Sequence, residues 1–113
     1  MSDDLRDLQR DYLDDVRETA LRLRQQSLDL GSHDRFKNTF PEILFVAHQL
    51  KGSGGSLGFP RITEVARRMS DELNLFFDQT EVMRPTPDEL SETLIVLSHE
   101  LEREVTAAQQ RLQ

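Results

Sequence analysis

The sequence contains no cysteine and no long run of apolar residues. Without cysteine, the chain can form no disulfide bond, no cysteine-ligated metal site and no cysteine nucleophile. An apolar run of about 18 residues would be needed to span a membrane, and none is present. The first residues, Met1-Ser2-Asp3-Asp4, are acidic where a secretion leader would be basic. We therefore expect a cytoplasmic protein that does not insert into a membrane.

Basic residues are also in short supply. The chain has 14 Lys and Arg residues against 21 Asp and Glu residues, which gives a formal net charge of −7. Nucleic acids and anionic membranes are bound through basic surfaces, so neither is an expected partner. At 113 residues the chain has the size of one domain. We predict a single domain over residues 1–113 and expect a monomer.

Glycine is scarce too, but four of the five glycines fall between positions 52 and 58. Apolar residues at helical spacing run through this segment and predict a helix that ends at about Gly58. The apolar face comprises Ile43, Val46, Ala47, Leu50, Gly54 and Leu57. On a helical wheel, His48 lies on the opposite side, facing solvent. Gly52 and Gly55 flank it one and two turns further on, and Lys51 lies beside them.

Glycine within a helix costs about 1 kcal/mol relative to alanine, so this clustering needs a physical reason. One reason is to let another backbone or a bulky group approach His48. Three other interpretations remain open. The segment could be a flexible Gly/Ser linker, which its apolar spacing disfavours. It could be a phosphate-binding loop, although GxxxxGK[ST] and a preceding strand are absent. It could also be a helix that ends in glycines after Lys51, with His48 an ordinary surface residue.

The same residues resemble a family motif. His48-x-Leu50-Lys51-Gly52-Ser53, followed by Leu57-Gly58, is similar to the signature of histidine-containing phosphotransfer (HPt) domains. The apolar spacing of the next helix extends the resemblance over about residues 43–73. It implies a phosphorelay intermediate, in which His48 accepts a phosphoryl group from a receiver-domain aspartate, or from a kinase, and passes it to another receiver. The chain would then be a phosphoryl carrier rather than an enzyme.

The resemblance also implies a role for the residues of the motif. The phosphoryl group would sit on Nε2 of His48, and Lys51 would reach its oxygens as a point charge. Gly52 and Gly55 would let the loops of the receiver close over the histidine. The implied partners are receiver domains, including that of a hybrid histidine kinase. No metal or cofactor is implied on this chain, because the Mg²⁺ needed for transfer belongs to the receiver.

Leu44 and Phe45 fall on the His48 side of the same helical wheel. An exposed apolar patch there would mark a partner site, and we predict that the receiver docks on Leu44, Phe45 and Gln49. Alternatively, Phe45 packs against a neighbouring helix as part of a wide apolar stripe. An alternative function also remains open, in which a helical module docks on a receiver or a partner helix without phosphotransfer.

Two positions after the motif depart from the pattern of the family. Several members carry a Glu or Gln on the third helix that hydrogen-bonds the other ring nitrogen of the histidine, and this chain has Ser70 there. How the tautomer of His48 is fixed is therefore left open. Kinase-appended members often carry a histidine where this chain has Arg67, which weighs against a kinase-appended domain.

The other two histidines show no pattern typical of a site. His33 lies in the predicted connection between the first two helices, and His99 lies off the apolar stripe of the last helix. We expect both to be surface residues. Neither has the His-x3-His type of spacing that would chelate a metal.

Amphipathic patterns predict a helix on the N-terminal side of the motif as well. It runs from after Ser2 to about Leu30. Its apolar face comprises Leu5, Leu8, Tyr12, Val16, Ala20, Leu23 and Ser27. The segment from Ser32 to Phe40 could form a separate short helix that Pro41 ends or kinks, so that the His48 helix begins near Pro41.

Two more helices are predicted after the motif. The third begins at Pro60. The apolar face of this third helix comprises Ile62, Val65, Ala66, Met69, Leu73, Phe76 and Phe77. Residues Thr80–Pro87 form a loop. Thr86 and Glu89 form a capping box at the start of the fourth. Its apolar face comprises Leu90, Leu94, Leu97, Leu101, Val105, Ala108 and Leu112. Together these patterns predict an all-α fold, an antiparallel four-helix bundle with His48 exposed on the second helix.

Overall fold

A computed structural model describes residues 2–76 and 85–112 of the chain, with side chains from residue 4 onward. This part of the chain consists of four helices and contains no strand. The helices are α1 (Ser2–Asp29), α2 (His33–Ser53), α3 (Pro60–Phe76) and α4 (Pro87–Arg111). The predicted all-α four-helix architecture is therefore confirmed. None of the described helices combines the length and the apolar character needed to cross a bilayer.

The helices form a closed ring of antiparallel neighbours. α1 packs against α2 and α4, and α3 packs against the same two helices. Near the start of α1, Gln9 donates a hydrogen bond to the carbonyl of Leu57, which follows the end of α2. Arg10 donates one to the carbonyl of Leu112 at the end of α4. Hence α1 runs antiparallel to both neighbours, as short connections in a bundle require.

The predicted apolar faces form the core with one exception. The stripes of α3 and α4 are buried from Ile62 to Leu73 and from Leu90 to Ala108. On α1, however, Leu5 and Leu8 are 52% and 58% exposed, so their predicted burial was wrong. The reason is geometric: Gln9 already reaches the segment beyond the end of α2, so the residues before it have no neighbouring helix to pack against.

α2 begins earlier than the sequence predicted. It is one continuous helix from His33, and Pro41 lies inside it, so the separate short helix was wrong. Proline removes one backbone hydrogen bond from a helix interior. Phe36 and Phe40 offset this cost, because they continue the buried side of α2 and pack with Phe76 in a three-ring cluster with centroid distances of 4.9–5.6 Å.

α2 also ends earlier than predicted. The helix stops at Ser53, and residues 54–58 form a turn, so the prediction that it reaches Gly58 was wrong. Gly54 lies so close to α3 that a Cβ there would be 2.5 Å from Oγ1 of Thr63 and 3.1 Å from the carbonyl oxygen of Phe59. Gly58 has a φ of +91°, which favours glycine. These contacts turn the chain into α3, which begins at Pro60 as predicted.

The start of α4 follows the sequence closely. Thr86 is the N-cap, and its side chain and that of Glu89 make both hydrogen bonds of the capping box. Pro87 occupies the first helical position, where its missing N–H costs nothing. The capping prediction is thus confirmed. Residues 80–84 of the predicted loop, and Phe77 of the α3 stripe, lie outside the described residues.

The close approach at Gly54 generates a stability prediction. Gly54→Ala should lower the free energy of unfolding by about 1–3 kcal/mol, because the added methyl group would lie 2.5 Å from Oγ1 of Thr63 and 3.1 Å from backbone atoms of Phe59 and Thr63. Gly52→Ala is the matched control, since a Cβ there meets no atom within 4 Å. That control should be neutral or stabilising by up to about 1 kcal/mol through helix propensity. Urea unfolding measures both, and equal effects at the two glycines would contradict the packing described.

Candidate functional site

The buried face of α2 determines where His48 points. Ile43, Ala47 and Leu50 are buried at intervals of three and four residues and face the bundle core. His48 follows Ala47 directly and therefore lies on the outer side of the helix, where its side chain is exposed. The predicted exposure of His48 is confirmed. Its imidazole makes no hydrogen bond to any residue that the structure describes, so both ring nitrogens are available.

His48 lies at the side of a groove between α2 and α3. The groove has a volume of about 450 Å³. Besides His48 it is lined by Pro41, Leu44, Phe45, Lys51, Ser70 and Asn74. The α2 side is largely apolar, and the α3 side carries a hydroxyl and an amide. The fold therefore brings the histidine together with Lys51 and two of the predicted docking residues.

Lys51 gives this groove its positive charge. It lies almost one turn beyond His48 on α2 and is exposed. It makes no ion pair within the described part of the chain, and the residues lining the groove include no Asp or Glu. Arg67 on α3 behaves differently, because it pairs with Glu64 and Asp71 of its own helix. The contact with Arg67 lowers the pKa of the Glu64 carboxyl.

Ser70 stands at the α3 side of the groove. It is only 4% exposed, and its Oγ has no hydrogen-bond partner among the described residues. It makes no hydrogen bond to His48 either. The tautomer of His48 is therefore not set by Ser70 in this structure. Buried hydroxyl groups in proteins are normally hydrogen-bonded, which makes Ser70 unusual.

The two glycines predicted to flank His48 differ in position. Gly52 is exposed on α2, and a Cβ there would meet nothing within 4 Å, so the fold itself does not require glycine. Gly55 does not lie on α2, because the helix ends at Ser53; its predicted position two helical turns beyond His48 was wrong. It belongs to the exposed turn that follows. Gln49 is exposed on α2 but does not line the groove.

Leu44 and Phe45 differ in exposure, although they are neighbours on α2. Phe45 is 63% exposed, which excludes the alternative that it packs within the core. Leu44 is partly buried and packs against the core, so it forms the base of the groove wall rather than an exposed patch. The apolar surface beside His48 therefore consists mainly of Phe45.

A set of contacts that the sequence did not reveal holds the end of α2. The phenol of Tyr12 is 2.9 Å from Oγ of Ser53, and its ring stacks on Phe59 with centroids 5.9 Å apart. Gln9 bonds the carbonyl of Leu57 in the same turn. Burial raises the pKa of the Tyr12 phenol, which keeps it neutral as a partner in the hydrogen bond with Ser53. The sequence placed Tyr12 on the apolar face of α1, but nothing in the sequence indicated that it contacts Ser53.

The other two histidines remain surface residues. His33 is exposed at the start of α2. His99 is exposed on α4, with Nδ1 3.3 Å from a carboxylate oxygen of Glu102, which also pairs with Arg24. Within the described residues, no group of three or more His, Asp or Glu side chains could hold a metal ion.

The sequence matches one family model, described as Hpt domain, over residues 7–111. The match covers almost the whole chain and includes every residue of the groove. No curated protein and no solved structure matches the chain.

The exposure of Phe45 generates a second prediction. Phe45→Ala should change the free energy of unfolding by less than about 0.5 kcal/mol, because an exposed side chain contributes little to stability. Phe40→Ala is the control on the buried side of the same helix, since Phe40 is 4% exposed, and it should cost about 3–5 kcal/mol. Urea unfolding of both variants measures the difference. A large loss for Phe45→Ala would show that Phe45 belongs to the core.

Proposed function

The chain belongs to the Hpt domain family, whose members are phosphocarrier modules of two-component phosphorelays, and on that premise we propose that His48 is its phosphorylated residue. It accepts a phosphoryl group from the aspartate of a receiver domain, or from a kinase, and passes it to another receiver. One observation carries this proposal: the histidine of the motif is exposed and makes no hydrogen bond to a described residue, and it lies beside a lysine that no described acid neutralises.

The transfer step is a substitution at phosphorus. The lone pair of Nε2 of neutral His48 attacks the phosphorus of the aspartyl phosphate, and an N–P bond forms. The bond from phosphorus to the aspartate oxygen breaks, and its electron pair stays on the carboxylate. Because the attacking nitrogen carries no proton, Nδ1 keeps its hydrogen during the attack. The reverse reaction delivers the group to the next receiver.

The charge of Lys51 assists this step. The transferred group carries negative charge on its oxygens throughout, and a cation one turn from His48 can stabilise it. The remaining charge stabilisation would come from the Mg²⁺ of the receiver, and we propose no metal site on this chain. It acts as a carrier and not as an enzyme.

Docking uses the surface around His48. Phe45 offers an exposed apolar contact, and Gly52 leaves bare backbone beside the histidine, so the active-site loops of the receiver can approach closely. Gln49 and the turn at Gly55 lie at the edges of this surface, and Leu44 supports it from below. We also propose that the protein acts in the cytoplasm and as a monomer.

Replacement of the histidine tests the proposal directly. His48→Gln should abolish the uptake of acid-labile phosphate from a phosphorylated receiver and leave the melting temperature nearly unchanged, because the side chain is exposed. His33→Gln and His99→Gln are the matched controls and should take up label like the wild type. Labelling is followed with radioactive phosphate before and after acid treatment. Acid-labile label that persists in His48→Gln would refute the assignment, and no label in the wild type would favour docking without transfer.

Gly52 provides a separate test of docking. Gly52→Gln should lower receiver affinity at least about tenfold, equivalent to about 1.4 kcal/mol, because its side chain occupies the space of the receiver loops. Stability should not fall, since Gln has the higher helix propensity and the site is open. Titration calorimetry gives the affinity, and Gly52→Ala shows how the effect grows with side-chain size. Unchanged affinity in Gly52→Gln would mean that the receiver docks elsewhere.

A further inference from the structure

The last turn of α2 carries Lys51 and Gly52, yet its own backbone holds it weakly. A helix leaves its final carbonyls without donors from within the helix. The N–H of Gly54 bonds the carbonyl of Leu50. No backbone N–H among the described residues reaches the carbonyls of Lys51, Gly52 or Ser53. Glycine at position 52 weakens the turn further, because glycine is a poor helix former. This turn therefore opens at a low free-energy cost unless contacts from elsewhere hold it.

Two side chains of α1 supply such contacts. The phenol oxygen of Tyr12 lies 2.9 Å from Oγ of Ser53, the last residue of α2. The ring of Tyr12 stacks on Phe59, which follows the turn after α2. Nε2 of Gln9 donates a hydrogen bond of 2.9 Å to the carbonyl of Leu57 in that turn. Because Gln9 and Tyr12 are three residues apart, they project from the same side of α1. Together they clamp the end of α2 and the turn that follows it onto α1.

The clamped residue and the lysine belong to the same turn of α2. Lys51 lies two residues before Ser53, which is less than one helical turn. The side chain of Lys51 is exposed and makes no ion pair among the described residues, so no partner fixes its position. The distance from its ammonium to His48 therefore depends on the backbone of this turn. When the turn opens, it carries the ammonium away from the histidine.

We propose that Tyr12 is a positioning residue for phosphoryl transfer, and that it holds Lys51 in place through Ser53. The hydroxyl of Tyr12 keeps the last turn of α2 closed. The closed turn keeps the ammonium of Lys51 beside His48, where it stabilises the oxygens of the transferred group. Gln9 supports the same closed state from the turn that follows. The inference rests on the proposed function, because it assumes a phosphoryl group at His48.

Four variants separate positioning of the lysine from support of the fold. Tyr12→Phe removes the hydroxyl and keeps the stacked ring, and Gln9→Ala removes the second contact of the clamp. Each is made alone and in combination with Lys51→Gln, which removes the charge. Ser91→Ala is the matched control, because the hydroxyl of Ser91 also joins two helices. It donates to the carbonyl of Ser27, near the other end of α1.

Two measurements follow the turn and the reaction separately. Amide hydrogen exchange in the free protein, at the N–H groups of residues 51–53, reports how often the last turn of α2 opens. Single-turnover transfer from a phosphorylated receiver domain is measured at increasing receiver concentration. It gives the maximal transfer rate, which reports on chemistry, and the half-saturating concentration, which reports on docking.

The proposal predicts a change in the maximal rate that depends on the charge of Lys51. Tyr12→Phe should speed exchange at residues 51–53 roughly two- to tenfold and slow maximal transfer at least about twofold, as for the loss of one hydrogen bond. The half-saturating concentration should stay the same, because the docking surface is intact. In the Lys51→Gln background, Tyr12→Phe should slow transfer no further. Gln9→Ala should follow Tyr12→Phe, and Ser91→Ala should match the wild type in exchange and transfer.

Other outcomes overturn the proposal in distinguishable ways. If Tyr12→Phe and Gln9→Ala leave the maximal rate unchanged, with or without faster exchange, the clamp serves the fold alone. The inference then fails while the proposed function stands. If Tyr12→Phe slows transfer equally with and without the charge of Lys51, Tyr12 does not act through the lysine and the inference fails. If the wild type takes up no phosphate from the phosphorylated receiver, the proposed function fails together with the inference.

Discussion

The burial of one face of α2 is the constraint on which the site depends. Ile43, Ala47 and Leu50 face the core, and this register alone directs His48 outward. A shift of one residue would turn the histidine by about 100° toward a neighbouring helix. The close contact of Gly54 with α3 locks the same register from the other end, because a side chain at that position has no room. Packing inside the bundle therefore fixes the orientation of a side chain that lies outside it.

The glycines within the seven residues from Gly52 to Gly58 differ in what the fold requires of them. Gly54 is needed because α3 approaches too closely for a Cβ, and Gly58 because its backbone has a positive φ. Gly52 meets neither requirement: a Cβ there would touch nothing within the described chain. Gly52 therefore costs helix stability without a reason among the described residues. The structure thus divides a cluster that looks uniform in the sequence into glycines that serve the fold and one that the fold does not require.

The parts of the fold that could be predicted are those set by local chemistry. The capping box at Thr86 and the apolar stripes of α3 and α4 each depend on residues close together in the sequence. The structure contains the capping box and buries both stripes, as predicted. The errors occurred where a contact with another part of the chain decides where a helix begins or ends. An apolar period continued through the glycines, but the approach of Thr63 to Gly54 ends α2 at Ser53. Likewise, Pro41 suggested a helix start, yet the aromatic packing of Phe40 carries α2 through it.

The site shows the same division. His48, Lys51 and Gly52 could be identified from the sequence, because their spacing on one helix and their similarity to a family motif are both local properties. The groove could not, because its other wall comes from α3 and its openness depends on the small size of Ser70. The support that Tyr12 and Gln9 give to the turn after α2 was equally hidden, since it joins residues more than forty positions apart.

The positive charge beside His48 is not compensated by an acid among the described residues of the groove. The chain has a formal net charge of −7, and arginines such as Arg24, Arg61 and Arg68 are paired with acids of neighbouring helices. Lys51 has no such partner in the described residues, and no described residue that lines the groove beside it is an acid. A negatively charged group is therefore attracted at this position, whereas the net charge of the chain repels it. Because exposed charges are screened beyond about 8 Å at physiological salt, this attraction acts mainly at contact. It thus bears more on how an anionic group is oriented beside His48 than on how fast it arrives.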